Sequence, residues 1–290
     1  MKIFSFGGGV QSTAALVLAA KKEIDYNTFV FSNVGDDSEN PETIDYINHI
    51  SIPYAEKHGI DFVEVKRIRK NGEFVSLYEH IMRSKRTIDI PVRMSNGAPG
   101  NRNCTAEYKV KTVANYIKNK IFDDFMSENQ IQKLSNIQKR KALENKSIVG
   151  IGISIDEFER MKDSKIDFII NDYPLIDMKI SRNDCYSIIK SAGLPVPPKS
   201  SCYFCPYKRI GEWRDLHQRQ PDLFQKSIEI EDHLNSVRSE IGKDKIFLSS
   251  RRVSLRELKN QFASDTQMSL IEAENTLGCG PFICGGEYSS

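Results

Sequence analysis

Lys2-Ile3-Phe4-Ser5-Phe6-Gly7-Gly8-Gly9-Val10-Gln11-Ser12-Thr13 is the stretch from which the rest of the chain can be read. Lys2 to Phe6 is an apolar run of strand length, three glycines break it, and Ser12 to Lys22 has the Ala, Leu and Val content and the basic end of a helix. Strand, glycine turn and helix in that order make an anion cradle. The glycines let backbone N–H groups converge on one point, the helix contributes its positive end, and Ser12 and Thr13 add hydroxyl donors. The loop lacks the Lys of a Gly-Lys-Ser/Thr phosphate loop, and Ser12 stands where the dinucleotide pattern G-x-G-x-x-G needs its last glycine.

Outward from this stretch the same rhythm repeats. Thr28 to Asn33, Phe62 to Lys66, Ile148 to Ser154 and Asp167 to Ile170 read as further strands, and Glu42 to His58 as a helix opening after Pro41. Strands alternating with helices predict an α/β fold, a Rossmann-like, doubly wound, mostly parallel sheet covered on both faces. Arg93 to Arg102 (RMSNGAPGNR) reads as a loop near an anion rather than a regular element. Phe122 to Lys146 reads as a polar helical excursion. After Leu194 the text changes to the Pro-bounded PVPPKSSCYFCPYK and a charged helical region from about Gly211 to Ile241. The expected division is a nucleotide-binding α/β domain over 1–175, with a helical insertion at about 121–146, and a helical, Cys-containing C-terminal region with a flexible tail over 176–290.

With 290 residues, 39% of them hydrophobic and 28% charged, the chain has ordinary globular usage, which excludes disorder, collagen and a coiled-coil rod. No run approaches the roughly 20 apolar residues of a membrane span, and the glycine turn interrupts what would otherwise resemble a signal segment, so a cytoplasmic protein without a membrane partner is expected. Charge is uneven. Residues 1–65 carry 4 basic and 10 acidic side chains, whereas residues 66–120 carry 13 basic and 4 acidic. Two readings stand for the basic block: solvated faces, or a lining for a polyanion such as a nucleotide or nucleic acid. Six Cys in such a chain point to metal, cluster or redox chemistry before disulfides. His49, His58, His80, His217 and His233 lack paired spacing and read as surface or core residues.

The glycine loop resembles that of the PP-loop ATP pyrophosphatases (SGGxDS), and more closely the phosphoadenylyl-sulfate reductase branch, with Gln11 where others carry Asp. Phe31-Ser32-Asn33-Val34-Gly35-Asp36 with Pro41-Glu42-Thr43, Arg102-Asn103-Cys104-Thr105 with Tyr108-Lys109, Gly152-Ile153 with Asp156-Glu157 and Arg160, and Cys202-Tyr203-Phe204-Cys205-Pro206-Tyr207 followed by Glu212-Trp213-Arg214 resemble that branch's later motifs in order, over about residues 1–215. The resemblance implies an adenine nucleotide alpha hydrolase-like sheet that binds ATP. Ser5, Gly7, Gly8, Gly9, Val10, Gln11, Ser12 and Thr13 would then surround the phosphates, and Phe31, Ser32 and Asn33 would lie beside adenine. Arg102, Lys109 and Arg160 would face phosphate, Lys109 with a part in catalysis. Asp36, Asp37 and Glu39 read either as a solvated acidic loop or as holders of Mg²⁺.

Cys202 and Cys205 form a tight pair whose thiolates can reach one metal, and Cys104 and Cys185 are the candidates to complete four ligands. A [4Fe–4S] cluster, zinc and free buried thiols all stay open, because Asn103-Cys104 stands where the family's reductases have a Cys pair. In the tail, Cys284-Gly285 matches the end of the family's Glu-Cys-Gly nucleophile motif, and Cys279 lies close by. These two are either catalytic thiols or an incidental pair. Three functions remain: an adenylating sulfurtransferase acting on nucleic acid (tRNA or DNA), a sulfonucleotide reductase using a tail cysteine, and a non-catalytic nucleotide sensor or accessory subunit with a protein partner. The basic block, the helical excursion and the imperfect tail favour the first.

Overall fold

The structure, a computed structural model, describes residues 1–69, 71–86 and 88–264. Cys279 and Cys284 therefore lie outside the described residues. The strands are β1 (Lys2–Phe6), β2 (Thr28–Asn33), β3 (Asp61–Lys66), β4 (Arg93–Met94), β5 (Ser147–Ile151), β6 (Ile169–Asp172) and β7 (Ile246–Phe247). No helix among the described residues is long and apolar enough to cross a membrane.

The chain divides into two compact units. The first comprises 1–36, 40–74 and 107–200, the second 37–39, 75–106 and 201–290. The first holds a five-stranded sheet in the order β3-β2-β1-β5-β6, every neighbouring pair parallel. This is the doubly wound Rossmann-like α/β fold. Side chains on β1 alternate between faces, as the pleat requires. Ile3 joins Val30, Val149 and Ile169 beneath Val113 and Ile117 of the helix Lys111–Glu128. Phe4 and Phe6 join Phe29, Leu16 of the helix Val10–Ala20, and Ile189 of the helix Arg182–Ser191. The Phe4 ring stacks on Phe29 at 4.9 Å and meets Tyr26 edge-on at 5.4 Å. The Tyr26 hydroxyl donates to Asp172; burial, then that carboxylate, pushes the phenol well above its ordinary range.

Local chemistry accounts for two departures from a regular reading. The helix expected over Glu42 to His58 is Pro41–Tyr46, a π-helical turn Ile47–Ser51 and Ile52–Lys57. Pro53 sits at the start of the third piece; its ring cannot accept the close carbonyl of an α-helical turn, and a wider turn precedes it. Arg93 to Arg102 is not wholly irregular: β4 pairs antiparallel with β7, and Arg93 also bridges Pro99.

A boundary near 175 does not separate the units. The helix Arg182–Ser191 belongs to the first, where Cys185 and Ile189 are wholly buried. Residues 75–106 join the second through the β4–β7 pairing, a contact about 150 residues apart in sequence that leaves no local mark. The second unit packs Trp213, Phe224, Leu234 and Leu258 at its core. Glu231 on the helix Pro221–Glu240 accepts the backbone N–H groups of Leu248 and Leu255, each at 2.7 Å.

Candidate functional site

The order β3-β2-β1-β5-β6 means that the chain leaves β1 toward one edge of the sheet and returns on the other side of β1 as β5. The loops after β1 and β5 therefore diverge, and open parallel sheets bind ligands in the crevice at such a switch point. The glycine loop occupies it. Gly8 has φ +73°, and a Cβ there would come within 2.9 Å of the Thr43 methyl and 3.2 Å of Ile47 Cδ1, so a side chain is excluded twice over. Gly9 is the extended N-cap of the helix Val10–Ala20, whose first turn carries no acid. The helical ladder starts with Thr13 N–H to Gly9 O at 3.0 Å, leaving the N–H groups before it at the positive end of the helix.

The hydroxyls serve the loop itself. Ser12 Oγ accepts from Gly9 N–H at 3.1 Å and donates to Gly9 O at 2.9 Å, and Ser200 Oγ donates to Gly7 O. Thr13 is wholly buried, and its Oγ1 has no hydrogen-bond partner. Ser5 is half-buried on β1, and Val10 is buried in the core, so Val10 offers only its backbone.

Gln11 turns toward the loop after β5. Its Nε2 donates to Glu157 at 2.6 Å and Ser154 Oγ at 3.1 Å, and its Oε1 accepts from Arg182 Nη1 at 3.2 Å. Arg160 pairs with the same Glu157 at 2.8 Å. A Cβ on Gly152 would lie 3.2 Å from the Ser12 backbone N, so this glycine lets the two loops meet. Sequence reasoning missed Arg182; it sits inside a Ser181–Asp184 capping pair, and no local pattern announces its reach to Gln11.

The other expected residues have their own surroundings. Phe31 lies in the core, Ser32 Oγ donates to Tyr108 O at 2.6 Å, and Asn33 Nδ2 donates to Asp36 at 2.7 Å and Glu64 at 3.1 Å. Asp36 also faces Lys66, and Asp37 accepts from Ser38 and Ser76. Lys109 is half-buried in the π-helical turn Cys104–Val110. Arg102 belongs to the second unit. Part of the basic block is paired in place. Lys66 pairs with Glu64, Arg67 and Lys111 with Glu107, Arg69 with Glu73, Arg83 with Glu79, and Lys120 with Asp124.

The expected metal-site cysteines are divided between the two units. Cys104, Cys202 and Cys205 are half-buried in the second unit, and Cys205 N–H donates to Cys202 O at 3.1 Å in a tight turn. Cys185 lies in the apolar core of the first unit, where burial pushes its thiol up to about 12. Among the described residues no group of three or more His, Cys, Asp or Glu is placed to hold a metal.

No protein-family model matches the chain, and no curated protein matches it in sequence. Among solved structures, the U34-tRNA thiolase NcsA from Methanococcus maripaludis, with its [4Fe–4S] cluster, aligns over 81% of this chain and 71% of that one, at 14% identity and a TM-score of 0.34. At that level the likeness carries neither fold nor function to this chain; the fold stands on the strand order.

Proposed function

We propose that the chain binds ATP with its phosphates on the Gly7–Thr13 loop and uses it to activate an acceptor as an adenylate for sulfur transfer to nucleic acid. The acceptor oxygen would attack the α-phosphorus, and the bond to the β-phosphate would break, releasing pyrophosphate. A sulfide-class donor would then attack the activated carbon, and AMP would leave with the oxygen. The supporting observation is the glycine loop at the switch point, with a helix N-terminus bare of acid and a position, Gly8, that only glycine can fill.

The test exploits the N-cap. Gly9 has φ −108°, and a Cβ there meets Ser200 Cβ at an ordinary 3.6 Å. Asp is a favoured N-cap residue, so Gly9→Asp should fold with equal or higher stability. Its carboxylate would stand where phosphate binds. Calorimetry should show ATP binding by the parent and none by Gly9→Asp; equal affinities would refute the assignment.

A further inference from the structure

In the second unit two guanidiniums share one aromatic ring: that of Arg102 lies 4.9 Å from the Tyr207 ring centre and that of Arg93 lies 5.6 Å from it. At least six of the basic block's cations pair with carboxylates, whereas neither of these has a carboxylate within ion-pairing distance among the described residues. Arg93 Nε is buried without a hydrogen-bond partner. A ring quadrupole offsets part of one cation's desolvation, but two like charges on one ring, with a buried N–H unsatisfied, is a costly arrangement that an anion would relieve. The backbone fixes both arms. Arg93 is held by pairing with Phe247 and Pro99, and Arg102 opens the segment in which Cys104 N–H donates to Asp89 O at 2.7 Å.

We infer that Arg93 and Arg102, seated on Tyr207, bind a phosphodiester of the nucleic acid acceptor. This rests on the proposed function, which supplies a polynucleotide, and assigns it a contact in the second unit. Forked guanidinium donors suit phosphate oxygens, and the contact would position the strand without reading its bases.

The experiment measures binding of the full chain to a fluorescent single-stranded oligonucleotide from low to high salt, with ATP and inorganic phosphate titrated separately by calorimetry. In Arg93→Gln/Arg102→Gln, oligonucleotide affinity should fall at least tenfold at low salt. The slope of log affinity against log salt should flatten by about 1.4, about 0.7 for each phosphate-facing cation on a single strand. ATP affinity should match the parent's. Arg93→Lys/Arg102→Lys, which keeps both charges, should keep most of the slope and serves as the folded control. Unchanged oligonucleotide binding in the Gln variant would overturn the inference. So would loss of ATP or inorganic phosphate binding in step with the oligonucleotide, which would make this a free-anion or nucleotide site. Failure of the parent to bind ATP would instead count against the proposed function.

Discussion

Gly8 and Gly7 are adjacent in the loop and make opposite demands. At Gly8 a left-handed φ and the Thr43 methyl both exclude a Cβ, so Gly8→Ala should cost about 1–2 kcal/mol from the backbone alone and lower ATP affinity at least tenfold. At Gly7 the backbone is not left-handed, and the nearest atom to a new Cβ is 4.0 Å away, so Gly7→Ala should stay within about 0.5 kcal/mol of the parent. Thermal unfolding and calorimetry of both variants check the pair; equal losses would contradict the geometry. The glycine requirement was legible from residue type and place. The role of Gln11 was not, because its partners Ser154, Glu157 and Arg182 are more than 140 residues away. Cys185 gives a second residue-scale prediction. It should resist alkylation in the native protein at pH 8, since its raised thiol is neutral and buried, and react once the chain is unfolded. Prompt native labelling, read by mass spectrometry of the Cys185 peptide, would contradict its placement.

Elements inherit these constraints. Glu231 links the helix Pro221–Glu240 to Leu248 and to Leu255 at the head of the helix Leu255–Ser264. Burial raises its carboxyl from an ordinary 4.5 to about 7, against the opposing pull of those two N–H donors. Between those values the folded protein keeps a proton that the unfolded chain has released. This contribution to stability is whole below about pH 4.5 and is lost as pH rises through about 7, with a magnitude on the order of 3 kcal/mol. Glu231→Gln cannot titrate and places an amide N–H₂ against a backbone donor, so it should be less stable at its baseline and lack this dependence. Urea midpoints across that window should converge as the parent falls; parallel profiles would contradict the account. Elements β1 and β2 were legible because each is a mostly apolar run, the mark of strands buried on both faces, whereas the edge strand β3 showed itself by its β-branched and aromatic Phe62, Val63 and Val65. The placement of Cys185 was legible too, had its spacing from Ile189 been weighted: four residues apart on one helix, both are wholly buried.

Over the whole molecule, the doubly wound sheet followed from strand–helix alternation. The division into units did not, because the second unit gathers 37–39, 75–106 and the C-terminal segment through pairings such as Arg93–Met94 with Ile246–Phe247. The net charge of 66–120 is spread unevenly in the fold. Lys66 lies beside Asp36 and Glu64, whereas Arg93 and Arg102 have no carboxylate partner among the described residues. The central claim is that ATP bound at the Gly7–Thr13 loop is cleaved between its α and β phosphates. Chromatography of the products formed from ATP with a nucleic acid acceptor and a sulfide donor tests it most directly. The account predicts pyrophosphate and AMP in equal amounts, in step with acceptor modification and absent with Gly9→Asp. ADP with phosphate, or sulfite formed from adenylyl sulfate with no ATP consumed under any acceptor, would contradict it.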